Sequence, residues 1–358
     1  MSSVCLIAGD DAAPEVVAPT VEVVDASGAD IDWHPVDGAE PDAAQEMIDA
    51  TETCLFGATN GTSGRALFHL RWGRQTYANI RPVRHIPGSV TPLARPDDLD
   101  FVIVRENLED LYLGLEGDLS ELEPLSLTGR RREPLGSLGQ GSYAIKVITD
   151  EGSTRVARAA FGLAEQRKEA GRGPGRVTVA AKTNMLPVSD GRFHARCMDV
   201  AAEFPNIEVD SYIIDDFARR LVAIPHSLDV VVMPNLYGDI LSDAAAGLSG
   251  GLGTAPSAAV GDEYAYFEPV HGSAPDIAGQ GIINPTAQML SAVMMLDHLG
   301  QPEAARRIES AVWAVYAQGN TLTRDQGGTA TTRQFADAVL GELSAPEPSF
   351  LAPVAGSS

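Results

Sequence analysis

Three short apolar runs end in polar side chains able to do chemistry. Phe101-Val102-Ile103-Val104 leads into Arg105-Glu106-Asn107, residues 177–181 into Lys182-Thr183-Asn184, and Val230-Val231-Val232-Met233 into Pro234-Asn235. If the runs are strands of one open sheet, these residues gather outside its carboxyl edge, where such sheets bind ligands. Each alone is equally well a turn or capping residue; three together point to a cleft. Lys182 stands out because the chain has only three lysines (Lys146, Lys168, Lys182) against 23 arginines. Desolvation at a strand end lowers a lysine's pKa and makes it a base near neutral pH, whereas an ammonium reaching solvent stays an ordinary cation. Asp239 and Asp243 are four residues apart in a helical pattern and therefore share a face. With Asp215 they are oxygen donors suited to a hard cation, Mg²⁺ or Mn²⁺. An acid-rich first helical turn, favoured by the helix dipole, accounts for the same spacing. Arg71, Arg81 and Arg105 form a third group. Guanidinium forks bind carboxylates bidentately, so these arginines could seat a polycarboxylate; singly, each reads as a surface ion pair.

The elements that must position these groups alternate between strand and helix, the pattern of a layered α/β fold. Residues 4–7 form a first strand, and Pro14 opens a helix running to about Ala26, since proline is tolerated in a first helical turn. Residues 285–299 (PTAQMLSAVMMLDHL) are apolar around most of the helix surface, which predicts an interior helix. Residues 118–142 mix acids, bases and glycines and read as an excursion or a subunit-contact arm. Residues 345–358 are rich in Pro and Ser and read as a frayed tail. Neither G-x-G-x-x-G nor G-x-x-x-x-G-K-[ST] occurs, so a conventional Rossmann or P-loop site is not supported.

Composition narrows the partners. The 358 residues carry 49 acids against 26 bases, a formal charge of −23, and no basic stripe of the kind that tracks a phosphate backbone. Nucleic acid is therefore not the expected partner. No run of about 18 apolar residues is present, which argues against a membrane span. Cys5, Cys54 and Cys197 lack C-x-x-C spacing and read as reduced, mostly buried thiols of a cytoplasmic protein.

Five stretches in order resemble the β-decarboxylating dehydrogenases, which include isocitrate, homoisocitrate, 3-isopropylmalate and tartrate/D-malate dehydrogenases. They are NIRPVRHIPG (79–88), VIVRENLEDLYLGLEG (102–117), AAKTNMLPVSDGRF (180–193), MPNLYGDILSDAAAGLSGGLG (233–253) and EPVHGSAPDIAGQGIINPTA (268–287). The resemblance implies a two-domain α/β fold. Residues 1–76 and 250–345 would form a large cofactor-binding domain, and residues 77–249 a small domain with the substrate and metal residues and the dimer interface. It implies that Arg71, Arg81 and Arg105 clamp the malate carboxylates, with Tyr112 and Lys182 catalytic. Asp215, Asp239 and Asp243 would hold Mg²⁺ or Mn²⁺, with Asn184 near nicotinamide and substrate. The stretch from Glu268 through His271, Gly272, Ala274, Asp276 and Ile277 to Asn284 would bind the adenosine half of the cofactor. It also implies a homodimer or larger assembly, in which the lysine and one metal aspartate cross the interface. Asp276 in place of a lysine favours NAD⁺ over NADP⁺, because a carboxylate accepts from free ribose hydroxyls and repels a 2′-phosphate. The implied reaction is oxidation of a 3-substituted malate at C2, followed by loss of CO₂.

Two places depart from the family pattern. Ala8-Gly9-Asp10-Asp11-Ala12-Ala13-Pro14-Glu15 replaces a PGDGIGPE-like turn, with Asp11 and Ala13 where glycines are usual. On the helix before Arg71, Arg65 and Leu67 stand where isocitrate enzymes carry serine and asparagine. Leu67 fits an apolar, isopropylmalate-like substituent; Arg65 and His69 favour an anionic one, including a phosphonate. A regulatory subunit of a hetero-oligomer is the alternative from another class, and intact Tyr112, Lys182 and aspartates speak against it.

Overall fold

The computed structural model describes residues 1–130 and 132–344; the segment expected as a frayed tail lies outside them. The chain begins with β1 (Ser2–Ile7), α1 (Ala13–Ala26), β2 (Ile31–Pro35), α2 (Pro41–Ala50), β3 (Thr53–Phe56) and α3 (Gly64–Phe68). There follow β4 (Ala78–Arg84), β5 (Asp100–Glu106), the short strands β6 (Glu116–Asp118) and β7 (Ser142–Ala144), and α4 (Asp150–Glu169). Next come β8 (Arg176–Ala181), α5 (Ser189–Ala201), β9 (Glu208–Ile213), α6 (Ile214–Ala223), β10 (Val230–Met233) and α7 (Asn235–Ser249). The chain closes with β11 (Pro256–Val260), β12 (Ala265–Pro269), α8 (Thr286–His298), α9 (Pro302–Gln318) and α10 (Thr332–Ser344).

One ten-stranded sheet runs in the order β2-β1-β3-β12-β11-β4-β5-β10-β8-β9. Its flanks pair in parallel, whereas β12–β11, β11–β4 and β4–β5 are antiparallel. The first five strands in that order come from the two ends of the chain, and the last five from residues 78–233. Val102, Val104, Val177, Val179, Val230 and Val232 are buried, as expected for apolar strands covered by helices on both faces. The expected interior helix is α8: ten of its 13 residues are buried, packed with β12, α9 and α10 in the largest apolar cluster. Leu290 and Leu296 there contribute about 2 kcal/mol each through burial. Cys5, Cys54 and Cys197 are free and buried, in agreement with the sequence reading.

Residues 118–142 leave the main sheet as expected. β6 and β7 form a separate antiparallel pair, and Leu125, Leu127 and Leu138 on the loop between them are exposed. Among the described residues no helix is long and apolar enough to cross a membrane.

Candidate active site

Arg105 follows the apolar run of β5, and the antiparallel register sets Asn79 of β4 opposite it. The Arg105 side chain is almost fully buried; its Nε donates to Asn235 Oδ1 at 2.8 Å, and its Nη1 pairs with Asp239. A Cβ at Gly238 would lie 2.6 Å from the Arg105 side chain, so glycine is what lets α7 pack onto the end of β5. Arg81 lies two residues along β4. Its Nε donates to Asn79 Oδ1 at 2.8 Å and its Nη1 to Ser242 Oγ at 2.6 Å, with Asp239 at 3.3 Å and Asp243 at 3.2 Å. Arg71 sits in a π-turn, His69–Gly73, a local winding often found at functional sites. Its Nε donates to the Tyr266 hydroxyl at 3.0 Å, and Glu268 lies 3.4 Å from its Nη2. The Tyr112 hydroxyl donates to Asp239 Oδ2, and Arg105 stacks over the Tyr112 ring at 5.0 Å.

Electrostatics follow from this crowding. Burial pushes the Asp239 carboxyl up, but Arg105, then Tyr112 and Arg81, outweigh it and hold it below the usual carboxylate range. Burial and the adjoining Asp239 raise the Tyr112 phenol, which therefore keeps its proton at neutral pH. Arg105 is held below its usual value, first by burial and then by repulsion from Arg81. A bound anion relieves that repulsion, so the pocket favours carboxylates.

Lys182, Asn184 and Asp215 form a separate group. Lys182 follows the last residue of β8, two strands from Arg105 and so roughly 10 Å away across the sheet. Its ammonium pairs with Asp215 in the first turn of α6, whose side chain is 61 % exposed, and that contact holds Asp215 below the usual carboxylate range. Asn184 is exposed in the turn beyond. Among the described residues, none of the three bonds to the arginine group. No cluster of three His, Cys, Asp or Glu able to hold a metal forms within the described part of one chain either. The Lys182 side chain is 27 % exposed, so of the two alternatives its ammonium reaches solvent rather than being fully desolvated.

His271, Gly272, Ala274, Ile277 and Asn284 line one cavity of about 690 Å³, a volume suited to a cofactor fragment. Asp276 is exposed on the adjoining turn Pro275–Ile277. The His271 ring contacts the Gly272 carbonyl through Nδ1 at 2.8 Å, while its Nε2 is buried with no partner among the described residues. Burial lowers the His271 pKa, so the ring is neutral and Nε2 is open to a ligand. The altered N-terminal turn fastens this loop. Asp11 adopts φ 54, a left-handed conformation costly for a side chain, and accepts from Ser273 Oγ at 2.6 Å and Asn60 Nδ2 at 3.0 Å. Glu15 accepts from the N–H groups of Gly279 and Gly281, both at 2.6 Å.

Three placements differ from expectation. Glu268 lies under Arg71 rather than on the cavity lined by His271, because it shares a face of β12 with Tyr266. His69 is bound to Asp49 at 2.9 Å, which removes it as a receptor for an anionic substituent. Leu67 is half-buried against the apolar cluster behind the site, while Arg65 is exposed without a side-chain partner among the described residues. Tyr266 is a site residue the sequence reading did not single out, and Asn235 was named there only as a strand-end candidate for the cleft. Alternation along AYFEP and the strand-end position of Asn235 are the signals that point to them. Phe68, 60 % exposed and 4.4 Å from the Trp72 ring, is a further residue without a sequence signal.

Comparison with known proteins agrees with this geometry. Residues 3–339 match the family described as isocitrate/isopropylmalate dehydrogenase. A 3-isopropylmalate/3-methylmalate dehydrogenase of Methanocaldococcus jannaschii is 42 % identical over 349 residues, covering 95 % of this chain and 98 % of that one. An isocitrate/homoisocitrate dehydrogenase of Thermus thermophilus is 40 % identical over 356 residues, with coverage of 95 % and 98 %. The crystal structure of isocitrate dehydrogenase from Methylococcus capsulatus superposes with a TM-score of 0.81 at 36 % identity, covering 96 % of this chain and 99 % of that one. The chain therefore belongs to the isocitrate/isopropylmalate dehydrogenase family, the metal-requiring, NAD(P)-dependent β-decarboxylating dehydrogenases.

Proposed function

We propose that the protein oxidises a 3-substituted malate with NAD⁺ and releases its β-carboxylate as CO₂, leaving a 2-oxo acid. The carrying observation is the buried Arg81 and Arg105, with the half-buried Arg71, gathered around Tyr112 and the Asp239–Asp243 face. The arginines hold and orient the substrate carboxylates. Lys182 takes the proton of the C2 hydroxyl, and Tyr112 delivers a proton to C3 once CO₂ has left. Asp239 and Asp243 on one helix face offer only oxygen donors, which fit Mg²⁺ or Mn²⁺ when the exposed Asp215 of a second copy completes the set. A cation held by these aspartates would supply Lewis acidity for the oxidation and for stabilising the negative charge that develops as CO₂ leaves. The active form is therefore a homodimer or a larger homo-oligomer, with Lys182 and Asp215 working in the neighbouring chain's site. Exposed Leu125, Leu127 and Leu138 support the excursion as the subunit contact.

The cofactor cavity supports NAD⁺: His271 Nε2 suits a donor on the adenine ring, and Asp276 beside it suits a ribose with free hydroxyls. The sheet order supports a division into a cofactor domain (1–76 and 250–345) and a substrate domain (77–249). Buried reduced thiols suit a cytoplasmic enzyme. For the 3-substituent, the exposed Phe68 ring on Trp72 favours a hydrocarbon group. Trp72 is pinned by its Nε1 donating to the Leu108 carbonyl at 3.0 Å, just before Tyr112. Arg65, exposed and without a side-chain partner among the described residues, favours a second reading, an anionic group.

The test is NADH formation with Mn²⁺ across isocitrate, homoisocitrate, 3-isopropylmalate, D-malate, tartrate and a phosphonomethyl malate, with each 2-oxo acid identified by mass. Turnover of at least one is expected. No NADH from any of them overturns the proposal in favour of a non-catalytic subunit, and a preference for NADP⁺ overturns the Asp276 assignment.

A further inference from the structure

Lys146 is the first of the chain's three lysines and has no role in the chemistry above. Its ammonium is closed in between two fully buried carboxylates, 2.7 Å from Asp190 and 3.4 Å from Asp110, and it lies 4.4 Å from the centre of the Tyr237 ring. Two buried anions around one cation are costly unless each is held by further hydrogen bonds. The remaining oxygens are held by the backbone of the site. Asp110 Oδ2 accepts from the N–H of Leu236 at 3.0 Å, in the first turn of the helix carrying Asp239 and Asp243. Asp190 Oδ2 accepts from the N–H of Lys182 itself at 2.7 Å.

Asp110 also opens the short turn Leu111–Leu113 that presents Tyr112. Its backbone sits at φ 69 and ψ −143, a region side chains avoid at a cost of about 1–3 kcal/mol, so its surroundings must hold it there. The holding contacts are Lys146, Leu236 and backbone bonds to Val147, the residue after Lys146, at 2.9 and 3.4 Å.

We propose that Lys146 is a positioning residue: by drawing Asp110 and Asp190 together, its ammonium sets the Tyr112 turn, the start of α7 and the backbone of Lys182 relative to one another. This rests on Tyr112 and Lys182 being the acid and the base. Where Tyr112 serves its own site and Lys182 the neighbouring one, a single half-buried cation joins residues of two sites.

The test uses the full-length assembled enzyme and its best substrate. Lys146→Met lowers kcat roughly 100-fold, the scale of a misplaced reacting group, while KM for substrate and NAD⁺ stays within about threefold. A substrate deuterated at C2 then shows a larger isotope effect on kcat than with the wild type. Lys146→Arg restores roughly a tenth or more of the rate, because it returns the cation. If Lys146→Met does not fold, the neutral combination with Asp110→Asn and Asp190→Asn removes the uncompensated buried charges. That folded variant is expected to stay roughly tenfold or more below wild-type kcat. Wild-type kcat in either folded variant overturns the proposal, as does a rate loss that only tracks the unfolded fraction by circular dichroism. If wild-type enzyme reduces no NAD⁺ with any malate, the parent proposal falls as well. If Tyr112→Phe and Lys182→Met are inactive but Lys146 variants are not, only this one falls.

Discussion

Tyr112 and Lys182 differ in how their surroundings prepare them. Tyr112 is pressed against Asp239 and Arg105, and burial with the adjoining carboxylate keeps its proton in place, as a proton donor requires. Lys182 waits at a strand end with Asp215 as its only ion-pair partner among the described residues. Tyr112→Phe is expected to lower kcat by roughly 10²–10⁴-fold, the range for loss of one proton-transfer group. KM should change little, because the arginines still bind the carboxylates. Lys182→Met is expected to behave in the same way, and steady-state NADH kinetics check both. Equal loss in kcat/KM through KM alone would mean that these residues bind rather than transfer protons.

At the scale of elements, the end of β5 does two things at once. Arg105 faces the pocket, while the next residue, Glu106, is buried and accepts from the N–H groups of Leu108 at 2.8 Å and Glu109 at 2.9 Å, turning the chain toward Tyr112. Burial is the main cause that lifts the Glu106 carboxyl from 4.5 to about 7, with Glu109 and Asp110 adding repulsion. The folded state therefore holds this proton more tightly than the unfolded chain. Stability from Glu106 is fully present below about pH 4.5 and is lost as pH rises toward 7, by about 3 kcal/mol in total. Urea denaturation at pH 5 and pH 8 measures it; Glu106→Gln, which cannot ionise, should flatten that part of the profile. The N-terminal turn shows the same coupling of local and distant parts. Asp11 keeps a left-handed backbone without glycine because Ser273 and Asn60 bind its carboxylate, and this braces the wall of the cavity lined by His271.

For the whole molecule, the candidate site residues come as two groups that no bond joins among the described residues. The arginine group with Tyr112, Asp239 and Asp243 is one; Lys182 with Asp215 and Asn184 is the other. Complementary subunits turn that division into a test. Lys182→Met and Tyr112→Phe chains, each inactive alone, are mixed after denaturation and refolded together. Half the dimers then pair the two variants and rebuild one intact site, so about a quarter of wild-type activity is expected. No recovery would mean that each chain's own Lys182 serves its own site.

Much of this protein was legible in its residues. The buried strands ending in Arg105, Lys182 and Asn235, the interior helix α8, and the shared face of Asp239 and Asp243 follow from local pattern, whereas the residues lining the cavity at His271 were marked only by the family resemblance. Periodicity and strand-end position are properties of neighbouring residues, and short-range sterics and burial carry them into the fold. What only tertiary structure decided were partnerships between distant residues. It set Glu268 and Tyr266 under Arg71, tied His69 to Asp49, and placed Lys146 between Asp110 and Asp190. Such pairs depend on strand order and on which helix covers which edge, and ion pairing has no period along the chain from which it could be read.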